Sequence, residues 1–177
     1  MEKSDIEKNL FASDLQKYGD KYVEHLLEQY KIYLESAEKI SERRQKTNEF
    51  FLALNSGLVT LLGFIATQSD KTNLGLVLTV ASIAGITICY LWYRIVLSYK
   101  ALNDSKFKIL HAVESRLPLA LYETEWKMLE QGENKKVYWP FSHIELAVPQ
   151  IFIVIYLILL VSLIPWTSLF SMCNYGG

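Results

Sequence analysis

Residues 40–63 pass from charged to apolar without a proline to interrupt a helix. The first ten of them carry five charged side chains, whereas residues 50–67 carry none. Glycine occurs twice in the apolar half, and glycine is common in membrane helices. We therefore predict a single helix that leaves an aqueous compartment and enters a membrane. The rest of the chain is expected to pack beside that helix.

Three segments are apolar enough and long enough to cross a membrane, namely residues 50–67, 74–93 and 146–170. Each meets the requirement of about 17–25 apolar residues for a hydrocarbon core ~30 Å thick. Hydrophobic residues make up 51% of the chain and charged residues 21%, so the two kinds are segregated into blocks. The fold class expected is an all-α membrane protein with three transmembrane helices and long cytoplasmic helical extensions.

Lysine and arginine predict the orientation of these spans. Nine precede the first span, eight follow the second within residues 94–136, one lies between the first two spans, and none follows the third. By the positive-inside rule, the N-terminus and residues 94–145 are cytoplasmic, and the C-terminal tail is outside. No signal peptide is expected, because the first apolar block begins near residue 50. We therefore divide the chain into an N-terminal helical region (residues 1–48), a transmembrane hairpin (49–93), a cytoplasmic helical segment (94–145), a third transmembrane helix (146–170) and an outer tail (171–177).

A heptad pattern precedes the first span. Apolar or aromatic residues recur at alternating spacings of three and four, which is typical of a coiled-coil seam. A helix over residues 21–67 would be ~70 Å long and would need a packing partner in water. That partner is either residues 94–140 of the same chain or the same helix of a neighbouring protomer. We predict that the seam joins protomers of a homo-oligomer through Leu26, Tyr30, Tyr33, Ala37 and Ile40.

Small residues recur four apart inside the first two spans, at Ala53 and Gly57 and again at Ala81 and Gly85. Small residues let membrane helices approach closely, so these positions are predicted to be packing surfaces. A pore lining is the alternative. It would draw its polarity from a few uncharged side chains, at Asn55, Ser56, Thr60 and Thr79.

A polar cluster is predicted where the spans meet the cytoplasm. Arg43, Arg44 and Lys46 come from the first helix, and His143 and Glu145 immediately precede the third span. One interpretation is that these groups anchor the helices at lipid headgroups. The other is that Glu145 pairs with Arg44, and that protonation of His143 disturbs the pair.

Two shorter segments are also interpreted. Residues 1–19 suit either a short amphipathic helix lying on a partner or on the membrane surface, or a loosely ordered terminus. Pro118 and Gly132 bracket a helix near residues 119–131, whose buried face would carry Tyr122, Trp126 and Leu129.

A set of short motifs resembles those of the RipA family of octameric bacterial inner-membrane proteins. The resemblance covers about residues 26–155, and Ser142 stands where threonine is expected. It rests on Tyr30, Tyr33, Ala37-Glu38, Ile40-Ser41, Arg43-Arg44, Thr47-Asn48, Phe50, Leu54-Asn55, Leu117-Pro118, Glu125-Trp126, Leu129, Gly132, Trp139-Pro140-Phe141-Ser142-His143-Ile144-Glu145 and Val148-Pro149. It implies a homo-oligomeric assembly in the bacterial inner membrane, an octamer, linked with adaptation and survival inside host cells.

The sequence contains none of the common catalytic, nucleotide-binding or metal-binding motifs. No catalytic residue, cofactor or metal site is therefore predicted, and the expected protein is not an enzyme. The expected partners are copies of itself and membrane lipids, with no nucleic acid. The function predicted is scaffolding, sensing or envelope adaptation in the inner membrane, and the alternative is a pore-forming effector in a bacterial stress or defence pathway.

Overall fold

A computed structural model describes residues 3–13, 15–68, 71–134 and 141–164. These residues form helices and connecting turns and contain no strand. The α-helices are α1 (Lys3–Leu10), α2 (Leu15–Tyr18), α3 (Tyr22–Gln68), α4 (Lys71–Glu114), α5 (Leu121–Met128) and α6 (Phe141–Ser162), and a 3-10 turn covers Glu130–Gly132. The all-α prediction is confirmed.

Three helices are long and apolar enough to cross a membrane, namely α3, α4 and α6. This confirms the three predicted membrane helices. Residues 165–170 of the predicted third span, with Pro165, and the tail 171–177 lie outside the described residues.

Helix α3 is 47 residues long, which corresponds to ~70 Å. It begins after Gly19, whose φ of +90° is a backbone conformation that glycine adopts readily. No proline follows until the helix has ended at Gln68, so its charged and apolar halves form one continuous helix. Helix α4 is similarly continuous over 44 residues, and it ends at Glu114, four residues before Pro118.

Helix α6 contains a proline. It starts at Phe141, so Pro149 lies inside the helix. Proline has no backbone N–H, so Pro149 donates no hydrogen bond to the helix backbone.

The described chain forms two compact units. The first, called here the extension unit, consists of Met1–Lys46 and Leu97–His143, and the second, called the membrane unit, consists of Thr47–Val96 and Ile144–Gly177. The core of the membrane unit is built from all three long helices, around Leu62, Leu78, Cys89 and Tyr156. Many of its outward side chains are large and apolar, which suits a surface solvated by lipid.

In the extension unit, the end of α4 is bonded to the start of α5 through Glu114. The buried residues of this unit include Ala37 on α3 and Leu110, Ala112 and Glu114 on α4. The N-terminal segment is anchored by Phe11, because the Arg116 guanidinium lies 3.3 Å from the centre of the Phe11 ring. Residues Lys3–Leu10 form a short helix, as one of the two interpretations of the N-terminus predicted, and the surface on which this helix lies stays a prediction.

Candidate functional site

Asn55 is the polar centre of the membrane unit. It is fully buried on α3, and its Oδ1 atom accepts hydrogen bonds from Cys89 Sγ on α4 and from Tyr156 Oη on α6, each 3.1 Å long. Its Nδ2 atom donates to the carbonyl of Phe51, 2.8 Å away. One amide side chain thus connects all three membrane helices. A buried amide in lipid needs such partners, because no water is there to solvate it.

A second polar contact lies one to two turns away along the same helices. The indole Nε1 of Trp92 donates to Asn48 Oδ1 at 2.9 Å. The Trp92 ring also stacks on the Phe51 ring, with ring centres 5.7 Å apart and ring planes 9° apart. The centre of the Phe152 ring of α6 lies 6.4 Å from the centre of the Trp92 ring. Trp92 lies on α4. Its ring therefore contacts both α3 and α6, and its N–H bonds to α3.

Gly85 makes room for the Tyr156 ring. A Cβ atom at residue 85 would lie 2.6 Å from Cε2 of Tyr156, which is closer than two carbon atoms normally approach. The same test at Gly57, Gly63 and Gly75 finds no atom within 4 Å. Of these four glycines, Gly85 alone is required by packing within the protomer.

Three threonine hydroxyl groups in the first two spans form hydrogen bonds within their own helices. Thr60, Thr79 and Thr87 donate to carbonyls four residues earlier on their own helices, at 2.7–2.9 Å. Ser82 is fully buried, and its Oγ has no hydrogen-bond partner in the described part of the chain.

Glu114 is the polar centre of the extension unit. It is 1% exposed at the end of α4, and its Oε1 accepts hydrogen bonds from Tyr30 Oη at 2.9 Å and from the Tyr122 backbone N–H at 3.1 Å. Its Oε2 accepts from the Glu123 N–H at 3.0 Å. The carboxylate therefore satisfies two of the backbone N–H groups that the first turn of α5 leaves unpaired. A negative charge is also favourable at a helix N-terminus.

Tyr30 is held in its neutral form at this centre. Burial, and then the hydrogen bond to the Glu114 carboxylate, raise the pKa of the Tyr30 phenol well above its usual value of 10.0. The pKa of Tyr122 is also raised, chiefly by burial and then by the charge of Glu38. Both phenols therefore remain protonated at physiological pH, and Tyr30 can act as a donor.

Lys106 on α4 and Arg116, which follows the end of α4 by two residues, add contacts to α3. Lys106 Nζ donates to Ser36 Oγ at 2.8 Å and lies 4.4 Å from the centre of the Tyr33 ring. Arg116 donates to Tyr22 Oη at 3.1 Å. The seam of α3 is thus bound to α4 of its own chain at several levels.

Both polar centres consist of hydrogen bonds that join helices. Among the described residues, no group of three His, Cys, Asp or Glu side chains could hold a metal ion. Asn55 and Glu114 bond to phenols, a thiol and backbone groups, an arrangement that fixes helices in place.

Comparison with protein families gives one match. The model described as the octameric membrane protein family (8xMP) matches residues 27–165, which is well over half of the chain. The chain belongs to this octameric membrane protein family. The resemblance inferred from the short motifs is thereby confirmed. No curated protein and no solved structure matches the chain.

In this member of the octameric family, the predicted seam lies against its own chain at Tyr30 and Tyr33, through the contacts with Glu114 and Lys106. Ala37 is 2% exposed, whereas Leu26 and Ile40 are half-buried. Of the two partners considered for the seam, the structure shows the one in the same chain. A role of the seam in joining protomers stays a prediction.

The four predicted packing positions of this family member have different environments. Gly85 is buried against Tyr156, and Ala81 packs beside the core of the membrane unit. Ala53 and Gly57 are exposed on the protomer.

The structure describes the side chains of four of the five residues in the predicted interfacial cluster. Arg44 is half-buried on α3, Arg43 and Lys46 are exposed there, and Glu145 is half-buried on α6. His143 lies in the first turn of α6, and its side chain is outside the described residues. The pairing of Glu145 with Arg44 and the pH response of His143 stay predictions.

The face predicted for α5 needs one correction. Tyr122 and Leu129 are half-buried, but Trp126 remains 38% exposed. Its ring instead contacts Gly132, where an added Cβ would lie 3.2 Å from the indole. Gly132 has a φ of +77°, so the chain turns back towards Trp126 after α5 ends.

Sequence reasoning missed the two residues that organise these centres most. Neither Glu114 nor Tyr156 was singled out from the sequence. A signal for Glu114 existed, since it lies four residues before Pro118 and precedes a predicted helix start. Tyr156 carries the one polar group within residues 151–161, and a hydroxyl in such an apolar stretch indicates a buried partner.

Proposed function

We propose that the protein is a non-enzymatic subunit of a homo-octameric scaffold in the bacterial inner membrane, with a role in adapting the cell envelope. Membership of a family described as octameric supports self-association in a membrane. The scaffold role is supported chiefly by the Asn55 centre, because its hydrogen bonds join the three membrane helices to one another within the protomer.

The same observation argues against a pore lined by side chains. Asn55 is one of the four residues considered for such a lining, and it is fully buried within the protomer. Thr60 and Thr79 bond to their own helices, and the spans 50–67 and 74–93 carry no charge. A conducting ring of these subunits would therefore present mostly apolar surface to its lumen.

Ion flux in reconstituted vesicles tests this proposal. Vesicles containing the purified protein are expected to release potassium, under a membrane potential, no faster than vesicles without protein. A channel-forming peptide added to the same vesicles serves as the positive control. Flux that rises in proportion to the amount of reconstituted protein would refute the scaffold and favour the pore.

We further propose that the N-terminus and the extension unit are cytoplasmic and that the C-terminus is outside. The excess of lysine and arginine on one side of the spans supports this orientation. An alkaline phosphatase fused after Gly177 is expected to be active, and one inserted at Gly132 is expected to be inactive. The opposite pair of results would reverse the orientation, and activity at neither site would mean that the third span does not cross.

A further inference from the structure

A cavity of about 300 Å³ lies in the extension unit. Residues of α4, of α5 and of the turn that follows α5 contribute to its walls. They include Lys108, His111, Glu123, Trp126, Lys127 and Gln131. Sites for small molecules have volumes of about 300–1,000 Å³, so this cavity has room for one small ligand.

The two helices that form most of this cavity are bonded to each other beside it. Glu114 at the end of α4 accepts hydrogen bonds from the backbone N–H groups of Tyr122 and Glu123, at 3.1 and 3.0 Å. The ring centre of Phe107 on α4 lies 6.0 Å from that of Tyr122 and 6.4 Å from that of His111. The walls are therefore held in place before a ligand arrives, which lowers the entropic cost of binding.

The turn that contributes Gln131 to the cavity has a strained backbone. Glu130 and Gln131 have φ angles of +51° and +56°, and Gly132 follows at +77°. Residues other than glycine adopt this left-handed region rarely, and then usually one at a time. A glycine at position 131 would relieve the strain, but the chain has a glutamine there that lines the cavity. Strained backbone of this kind clusters at ligand-binding sites.

The charges of the cavity walls favour an anion. Glu123 and Lys127 neutralise each other, because their side chains pair at 3.0 Å. Within the described parts of the chain, Lys108 has no ion-pair or hydrogen-bond partner, so it leaves the cavity with a net positive charge. His111 follows Lys108 by three residues and is its neighbour on α4. An imidazole ring always offers at least one N–H donor, which can join the ammonium group in binding an anion.

Trp126 gives the cavity a flat aromatic wall. The ring lies against Gly132, where an added Cβ would be 3.2 Å from the indole, yet the side chain remains exposed. An indole held in this way can stack on a flat ring of a ligand, as aromatic side chains do with nucleobases.

The cavity lies beyond the reach of lipid headgroups. Helix α4 is continuous from Tyr93, at the end of the second uncharged span, to Lys108. The 15 residues between these two positions correspond to ~22 Å of helix. The headgroup layer adds only about 5–8 Å to each side of the hydrocarbon core. The ligand of such a cavity is therefore soluble in water.

We propose that this cavity binds a small water-soluble anion that carries a flat ring and has about the size of a nucleoside monophosphate. The ring stacks on Trp126, and the anionic group lies between Lys108 and His111. The Gln131 amide hydrogen-bonds the polar edge of the ring. This site adds a ligand-binding function to the proposed scaffold, and it does not depend on the number of protomers.

Equilibrium dialysis of the whole protein in detergent tests the proposal, with adenosine monophosphate as the probe. Adenosine, which lacks the anion, and ribose 5-phosphate, which lacks the ring, are measured beside it. We expect saturable binding of adenosine monophosphate, and at least tenfold weaker binding of the two other compounds. No saturable binding of adenosine monophosphate, or equal binding of all three compounds, would overturn the proposal.

Two substitutions assign the binding to this cavity. Lys108→Gln is expected to weaken the binding of adenosine monophosphate at least fivefold and to leave that of adenosine unchanged. Trp126→Leu is expected to weaken both, whereas Trp126→Phe retains a ring and most of the affinity. Lys31→Gln is the matched control, because Lys31 is an exposed lysine of α3 outside the cavity. The thermal unfolding of each variant is measured beside its binding. Unchanged affinity in Lys108→Gln, or an equal loss in Lys31→Gln, would show that the cavity is not the site.

Discussion

Replacing Glu114 with alanine is expected to release α5 from the extension unit. The change removes the acceptor of three hydrogen bonds and leaves the Tyr30 hydroxyl and the N–H groups of Tyr122 and Glu123 without it. Each buried donor left unsatisfied costs about 1–3 kcal/mol. We expect a local loss of about 3 kcal/mol, which corresponds to ~100-fold faster hydrogen exchange at the amides of Tyr122 and Glu123.

Two matched variants separate this effect from a general loss of stability. Glu125→Ala removes an exposed carboxylate from the same helix and is expected to leave those amides protected. Tyr30→Phe removes one of the three bonds and is expected to give an intermediate rate. Equal protection of Tyr122 and Glu123 in the Glu114→Ala protein and the unsubstituted protein would show that Glu114 does not hold α5.

Replacing Gly85 with leucine is expected to force apart α4 and α6 in the membrane unit. Even a Cβ atom at this position meets the Tyr156 ring, and a leucine side chain extends further. Overpacking of a filled core typically costs 1–3 kcal/mol. We therefore expect the free energy of unfolding in mixed micelles to fall by about 2 kcal/mol. Gly63→Leu is the control, because its Cβ would meet no atom within 4 Å in the protomer.

A second substitution tests whether Tyr156 causes the effect. Tyr156→Ala combined with Gly85→Leu is expected to cost less than the two single changes together, since the alanine makes room for the leucine. Additive losses would mean that Gly85 and Tyr156 do not limit each other. A cost at Gly63 as large as that at Gly85 would mean that the effect comes from the helix and not from this contact.

The helices could be predicted from the sequence because their signals are local. Helix α3 was expected over residues 21–67 and is observed at Tyr22–Gln68, since its start follows Gly19 and nothing interrupts it afterwards. The three apolar blocks likewise predicted the membrane helices, because lipid requires a minimum length of apolar helix. Family membership could also be predicted, from short motifs spread over both units.

The polar centres could not be predicted because their bonds join residues that are distant in the sequence. Asn55 and Tyr156 are 101 residues apart, and Tyr30 and Glu114 are 84 apart. The heptad seam illustrates the same limit. Periodicity showed that one face of α3 needs a partner, but it did not distinguish α4 of the same chain from a neighbouring protomer. That choice depends on where a carboxylate such as Glu114 comes to lie.

The mass of the solubilised particle tests the central claim most directly. The protomer has a mass of 20.4 kDa, and light scattering in detergent reports the protein mass of the particle separately from the bound detergent. A homo-octameric scaffold predicts a single species of eight times the protomer mass, unchanged on dilution. A particle of one or two protomer masses, extracted under conditions that keep the helices folded, would contradict the account.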